Sequence, residues 1–95
     1  MSDNAYPGTQ SIQRAMALLK AFDDDRPSWG LSDLARETGL NKTTAHRLLA
    51  AMEREGLIGR AADGERYVLG PEVVVLGGRA LRANNLRTIA RPQLE

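Results

Sequence analysis

The sequence predicts a mainly helical fold with one small β-hairpin, arranged as a winged helix-turn-helix and followed by a linker helix. Three observations predict it. Apolar residues recur at helical spacing in three successive segments. The second and third segments meet at Gly39-Leu40-Asn41, a glycine stop followed at once by a helix-capping residue. Asp63-Gly64 then stands between two short apolar runs, the local signal of a hairpin.

Each element follows from its residues. Ser11 is read as the N-cap of a first helix, with Ile12, Ala15, Met16, Leu19 and Phe22 forming its buried stripe. The acids Asp23-Asp24-Asp25 oppose the helix dipole and end it, and Pro27 follows. Trp29-Gly30-Leu31 reads as a very short strand. Ser32 is expected to cap the second helix, with Asp33 in its first turn and Leu34 and Ala35 facing inward. A third helix runs from about Lys42 to Glu55, stopped by Gly56, with Ala45, Leu48, Leu49 and Met52 inward. Leu57–Ala61 and Glu65–Leu69 are the expected hairpin strands. Pro71 opens a fourth helix, expected to run to Asn84 or Asn85 despite Gly77-Gly78.

Composition bounds the function. The chain has 95 residues, no cysteine, one histidine and a net charge of +1. Disulfide scaffolds, thiol nucleophiles and zinc ribbons are thereby excluded. No apolar run approaches the ~20 residues of a membrane span, and the polar start carries no secretory signal, so the expected compartment is the cytoplasm. No cofactor is expected. The lone histidine and the lack of a phosphate-cradling or nucleophile-elbow motif argue against an enzyme.

The third helix carries the functional signal. A helix N-terminus presents free N–H groups and partial positive charge, which suit a phosphate. At ~100° per residue, the side opposite the apolar stripe centres on Thr43, Arg47, Ala50 and Arg54, flanked by Lys42 and His46 on one side and Thr44 on the other. Arg47 suits a guanine edge, Thr43 a base edge or phosphate, and Ala50 a thymine methyl. Lys42 and Thr44 suit phosphates, as does Arg36 on the second helix, and the capping residues Ser32 and Asn41 are counted with the DNA-binding face. Arg60 and Arg66 flank the hairpin tip, where a wing would lay them on a neighbouring backbone or minor groove. The expected partner is double-stranded DNA. The near-neutral charge keeps a second reading open, a winged-helix protein-interaction module without DNA.

Four segments resemble IclR-type bacterial transcriptional regulators in order and spacing. They are Ser11–Leu19, Gly30–Ala35, Thr38–Leu49 and Tyr67–Gly70. The resemblance implies a homodimeric operator-binding domain with its third helix in the major groove, associated with the nucleoid. It implies that a small-molecule effector would act only through a further C-terminal domain. The expected organisation is a flexible arm over 1–10, the winged helix-turn-helix over 11–70, and a linker helix leading into that further domain over 71–95.

The fourth helix adds its own argument for a dimer. Val73–Leu76 are apolar all round, so one side would cover the core and the other would need a partner. Val74, Val75, Gly77, Gly78 and Leu81 on this helix, with the small Ala17 and Ala21 on the outer side of the first, are the expected dimer contacts.

Overall fold

The computed structural model describes residues 8–83. Helix α1 spans Thr9–Lys20 and so takes in Thr9 and Gln10, which the expected arm included. Gly8, not Ser11, is the N-cap; its carbonyl accepts the N–H groups of Ser11 and Ile12 at 3.1 and 3.3 Å. The buried side is also rotated from the expected one. Leu18 and Phe22 are buried and Ala15, Leu19 and Ala21 pack beside them, whereas Ile12 (67%) and Met16 (41%) stay exposed. Two apolar stripes overlap on α1, and the one that meets α3 and α2 runs through Leu18.

After α1, Asp23 organises the turn. Its carboxylate accepts the N–H groups of Asp25 at 2.9 Å and Arg26 at 2.8 Å. Strand β1 is Ser28–Trp29, one residue earlier than expected. The buried Trp29 donates its indole N–H to the Ala21 carbonyl at 3.2 Å, and the Arg26 guanidinium lies 3.5 Å from its ring centre.

Helix α2 spans Leu31–Thr38 with Gly30 at the N-cap. Ser32 is therefore not the cap: the Leu34 N–H already closes the first turn on the Gly30 carbonyl at 3.0 Å. Gly39 sits at φ 74°, a conformation that costs a side-chain-bearing residue energy, and the Leu40 N–H reaches back to the Ala35 carbonyl at 3.0 Å. The chain can then turn at once into α3, Lys42–Arg54. Asn41 caps α3 as expected, its side-chain oxygen accepting the Thr44 N–H at 2.8 Å.

Strands β2 (Ile58–Arg60) and β3 (Tyr67–Leu69) pair antiparallel, and β1 joins the other side of β3 to give the order β1-β3-β2. Arg60 faces Tyr67 across one ladder and Trp29 faces Tyr67 across the other. The strands are shorter than expected because the turn is not a tight Asp-Gly hairpin. Asp63 keeps a negative φ, which a type I′ turn forbids, and only Gly64 is left-handed. Instead Ala61 N–H bonds Arg66 O at 2.8 Å and Gly64 N–H bonds Ala61 O at 2.8 Å, leaving a wider loop.

The core comprises Leu18, Phe22, Trp29, Leu34, Leu49, Met52, Ile58 and Tyr67, drawn from α1, α2, α3 and the sheet. Helix α4 (Pro71–Arg82) contributes no buried residue, so it does not cover the core as expected. It ends at Arg82, and readings placed on residues 84–95 lie outside the described residues. Its start is nevertheless fixed. Gly70 N–H donates to Leu57 O at 2.8 Å and Glu72 N–H to Gly56 O at 3.0 Å. A Cβ at Gly70 would collide with the Gly56 carbonyl and stand 2.9 Å from Ile58 N, so only glycine allows this approach.

Candidate nucleic-acid interface

The steps that bury Leu34, Ala35, Ala45 and Leu49 leave the start of α3 in solvent. Asn41, Lys42 and Thr43 are exposed, and Thr44 is half-buried. Because Asn41 spends its side chain on the Thr44 N–H, it acts first as a cap and presents the neighbouring main-chain N–H groups. One turn on, His46 and Arg47 are exposed. Among the described residues, neither Lys42 nor Arg47 has an ion-pair partner, so their donors remain available. Arg54, in the last turn, is exposed as well. Ala50 is half-buried, at the margin of the exposed face.

Helix α2 lends a weaker flank. Ser32 is exposed within its first turn. Arg36 is exposed but pairs with Asp33 at 2.9 Å, an exposed i,i+3 ion pair that a phosphate can exchange at little cost.

The wing differs most from expectation. Both of its arginines are turned toward the body. Arg66 is half-buried and forks onto Ser28, bonding the hydroxyl and the carbonyl at 3.0 Å each. Arg60 bonds both carboxylate oxygens of Glu53 on α3 at 3.3 Å, lies 4.3 Å from the Tyr67 ring centre, and reaches the carbonyl of Glu65 at 3.3 Å. The exposed tip is left with Asp63 and Glu65. The Asp63 carboxylate accepts the N–H groups of Glu65 and Arg66, which hold its pKa below the ordinary aspartate value. The tip thus stays anionic, opposite to a cationic probe.

The Glu53–Arg60–Tyr67 cluster was not foreseen. Its one signal is an acid late on α3 followed by an arginine across the turn, which no periodicity marks out.

The expected dimer residues divide. Ala17 is exposed, but Ala21 packs against the core and is not on an outer face. Val74, Val75 and Leu81 are exposed, Val74 at 75%. Gly77 has open space before it, whereas the Arg82 guanidinium lies 3.3 Å from where a Cβ on Gly78 would stand. Close helix approach is therefore left to Gly77.

No helix among the described residues is long and apolar enough to cross a membrane. Among the same residues no group of three or more His, Cys, Asp or Glu could hold a metal ion.

Comparison with known proteins agrees with this geometry. The IclR helix-turn-helix domain pattern matches residues 11–62. The chain is 38% identical over 81 residues to the glycerol operon regulatory protein of Streptomyces griseus, covering 85% of this chain and 32% of that protein. It is 31% identical over 85 residues to the transcriptional repressor IclR of Escherichia coli K12, covering 90% of this chain and 31% of that one. Among solved structures, an IclR homolog from Microbacterium sp. strain HM58-2 superposes with a TM-score of 0.76 at 33% identity, covering 86% of this chain and 34% of that one. An IclR family transcriptional regulator from Brucella abortus gives 0.72 at 29% identity, covering 87% and 32%. The chain spans about a third of the length of the curated relatives it matches. With the helix-turn-helix in place, its recognition end free and its pattern matched over residues 11–62, the chain belongs to the IclR family of transcriptional regulators.

Proposed function

We propose that this chain reads DNA sequence as the operator-binding domain of a bacterial transcriptional regulator, with α3 in the major groove. The single observation that carries the reading is the exposed, cap-stabilised start of α3 beside Arg47, which has no ion-pair partner among the described residues. A groove ~12 Å wide admits one helix, and an arginine can bond both acceptors of a guanine edge. Thr43 and Arg47 read bases. Lys42, Thr44, His46 and the amides after Asn41 take phosphates, with Ser32 and Arg36 on the adjoining backbone. The small, half-buried Ala50 at the margin of this face lets the helix approach closely.

Two copies act together. Among the described residues, the apolar Val74, Val75 and Leu81 of α4 stay exposed, and with Gly77 and Ala17 they offer surface for a second copy. A two-fold arrangement places half-sites one helical turn apart, ~34 Å, or a multiple of it. The site of action is the cytoplasm, at the nucleoid, and control by a small effector belongs to a further domain of the whole regulator.

Selection of bound duplexes from a random library tests the reading. Enrichment of a palindromic motif is the expected result. Absence of any retained duplex at low salt favours instead the protein-interaction module, which the net charge of +1 and the committed wing arginines support.

A further inference from the structure

The wing of this chain is fastened on both sides by residues that would otherwise be its cations. Arg66 ties its outgoing strand to β1 through Ser28. Arg60 ties its incoming strand to α3 through Glu53, and its guanidinium also lies on Tyr67 and holds the turn carbonyls of Gly64 and Glu65. Four groups, from α3, the turn and β3, therefore converge on one planar side chain. Nε is committed to Glu53 and one terminal nitrogen to the turn. A lysine could supply the charge at this place but neither the fork nor the stacked plane. The tip that this arrangement supports carries Asp63 and Glu65, so a phosphate meets like charge there.

We infer that Arg60 is a positioning residue rather than a DNA contact: it latches the wing to the recognition helix through Glu53, so that α3 and the wing meet the duplex as one rigid body. The inference rests on the DNA-binding reading of α3. Its consequence is specific. A phosphate contact adds to the salt dependence of binding, about 0.9 in the slope of log K against log salt for each phosphate neutralised. A positioning residue changes affinity without changing that slope. Glu53 is the second half of the latch, so its removal must act in the same direction as removal of Arg60. If Arg60 were instead a phosphate ligand held back by Glu53, freeing it would strengthen binding.

The test uses the full chain and the duplex recovered by selection, with binding measured across a salt series for wild type, Arg60→Gln, Arg60→Lys, Glu53→Gln and the Arg60→Gln/Glu53→Gln pair. Circular dichroism melts confirm that each variant is folded at the binding temperature; Glu53→Gln, the mildest change, keeps the test open should an Arg60 variant unfold. The expected result is a roughly three- to fivefold loss of affinity in every variant, the size suited to a part-exposed ion pair. The lysine does not rescue, the slope stays at the wild-type value, and the pair is no worse than either single change. Three results overturn the inference: rescue by lysine with a slope decrease in the glutamine variant, tighter binding by Glu53→Gln, or wild-type affinity throughout. Failure of wild type to retain any duplex overturns the DNA-binding reading itself, a distinct outcome visible before any variant is compared.

Discussion

Single residues in this domain divide by what their polar groups already hold. Arg47 and Lys42 hold nothing among the described residues, and they carry the clearest expectations. Arg47→Ala removes about 1–3 kcal/mol of base discrimination at one position of the site, seen as a flattened preference in a repeated duplex selection. Lys42→Ala weakens binding to all sequences alike and lowers the salt slope by about 0.9. Unchanged preference in the first variant removes Arg47 from the base-reading role. Asp63 carries a different expectation. Its pKa is lowered by the N–H groups of Glu65 first and Arg66 second, so its contribution to the wing is complete above the unfolded value of 3.8 and is lost as pH falls below that through the folded value. Amide signals of Glu65 and Arg66 should therefore shift in an acid titration while those of the α3 cap stay fixed. Movement of both together would show general unfolding rather than loss of this turn.

Among the elements, those specified by local chemistry were legible in the sequence, and those specified by distant contacts were not. The glycine stop at 39 and the Asn41 cap are local, and both stand where the residues place them. Ser11 and Ser32 are equally good capping residues, yet glycines ahead of them start the helices, because the carbonyls of Gly8 and Gly30 already close the first turns. The face of α1 was ambiguous for another reason. Its apolar residues cover more than one stripe, and only packing against α3 and α2 selects Leu18 over Ile12. Likewise, the sequence placed arginines on the wing but not the direction of their side chains, which Glu53 and Ser28 decide from other elements. Two stability predictions belong here. Asn41→Ala costs about 0.5–2 kcal/mol of unfolding free energy through the lost cap. Leu18→Ala, at a fully buried site, costs about 2–5 kcal/mol, whereas the same change at Ile12 costs well under that, as denaturant titration would show.

For the molecule as a whole, the candidate site was read from sequence as a chemical face, and the start of α3 that carries it is exposed. What sequence could not supply was how much of the surrounding charge is already neutralised internally. Besides Lys42, Arg47 and Arg54 on α3, exposed cations without an ion pair among the described residues stand on α1 (Lys20) and α4 (Arg79, Arg82), so the free positive charge is spread over three helices. The proposed two-fold assembly is tested at this scale. Leu81→Glu places a charge in the exposed apolar surface of α4 and should weaken self-association by about tenfold or more in sedimentation experiments. A monomer–dimer balance equal to wild type would remove α4 from the interface.

The glycine seam at the root of α4 has a mechanical meaning. Main chain meets main chain there, Gly70 against Gly56, with two hydrogen bonds across the join and no rotatable side chain to absorb displacement. Gly56 directly follows Glu55, the C-cap of α3. The root of α4 is thereby pinned, main chain to main chain, to the residues that follow α3, as a hinge pin sits against its plate.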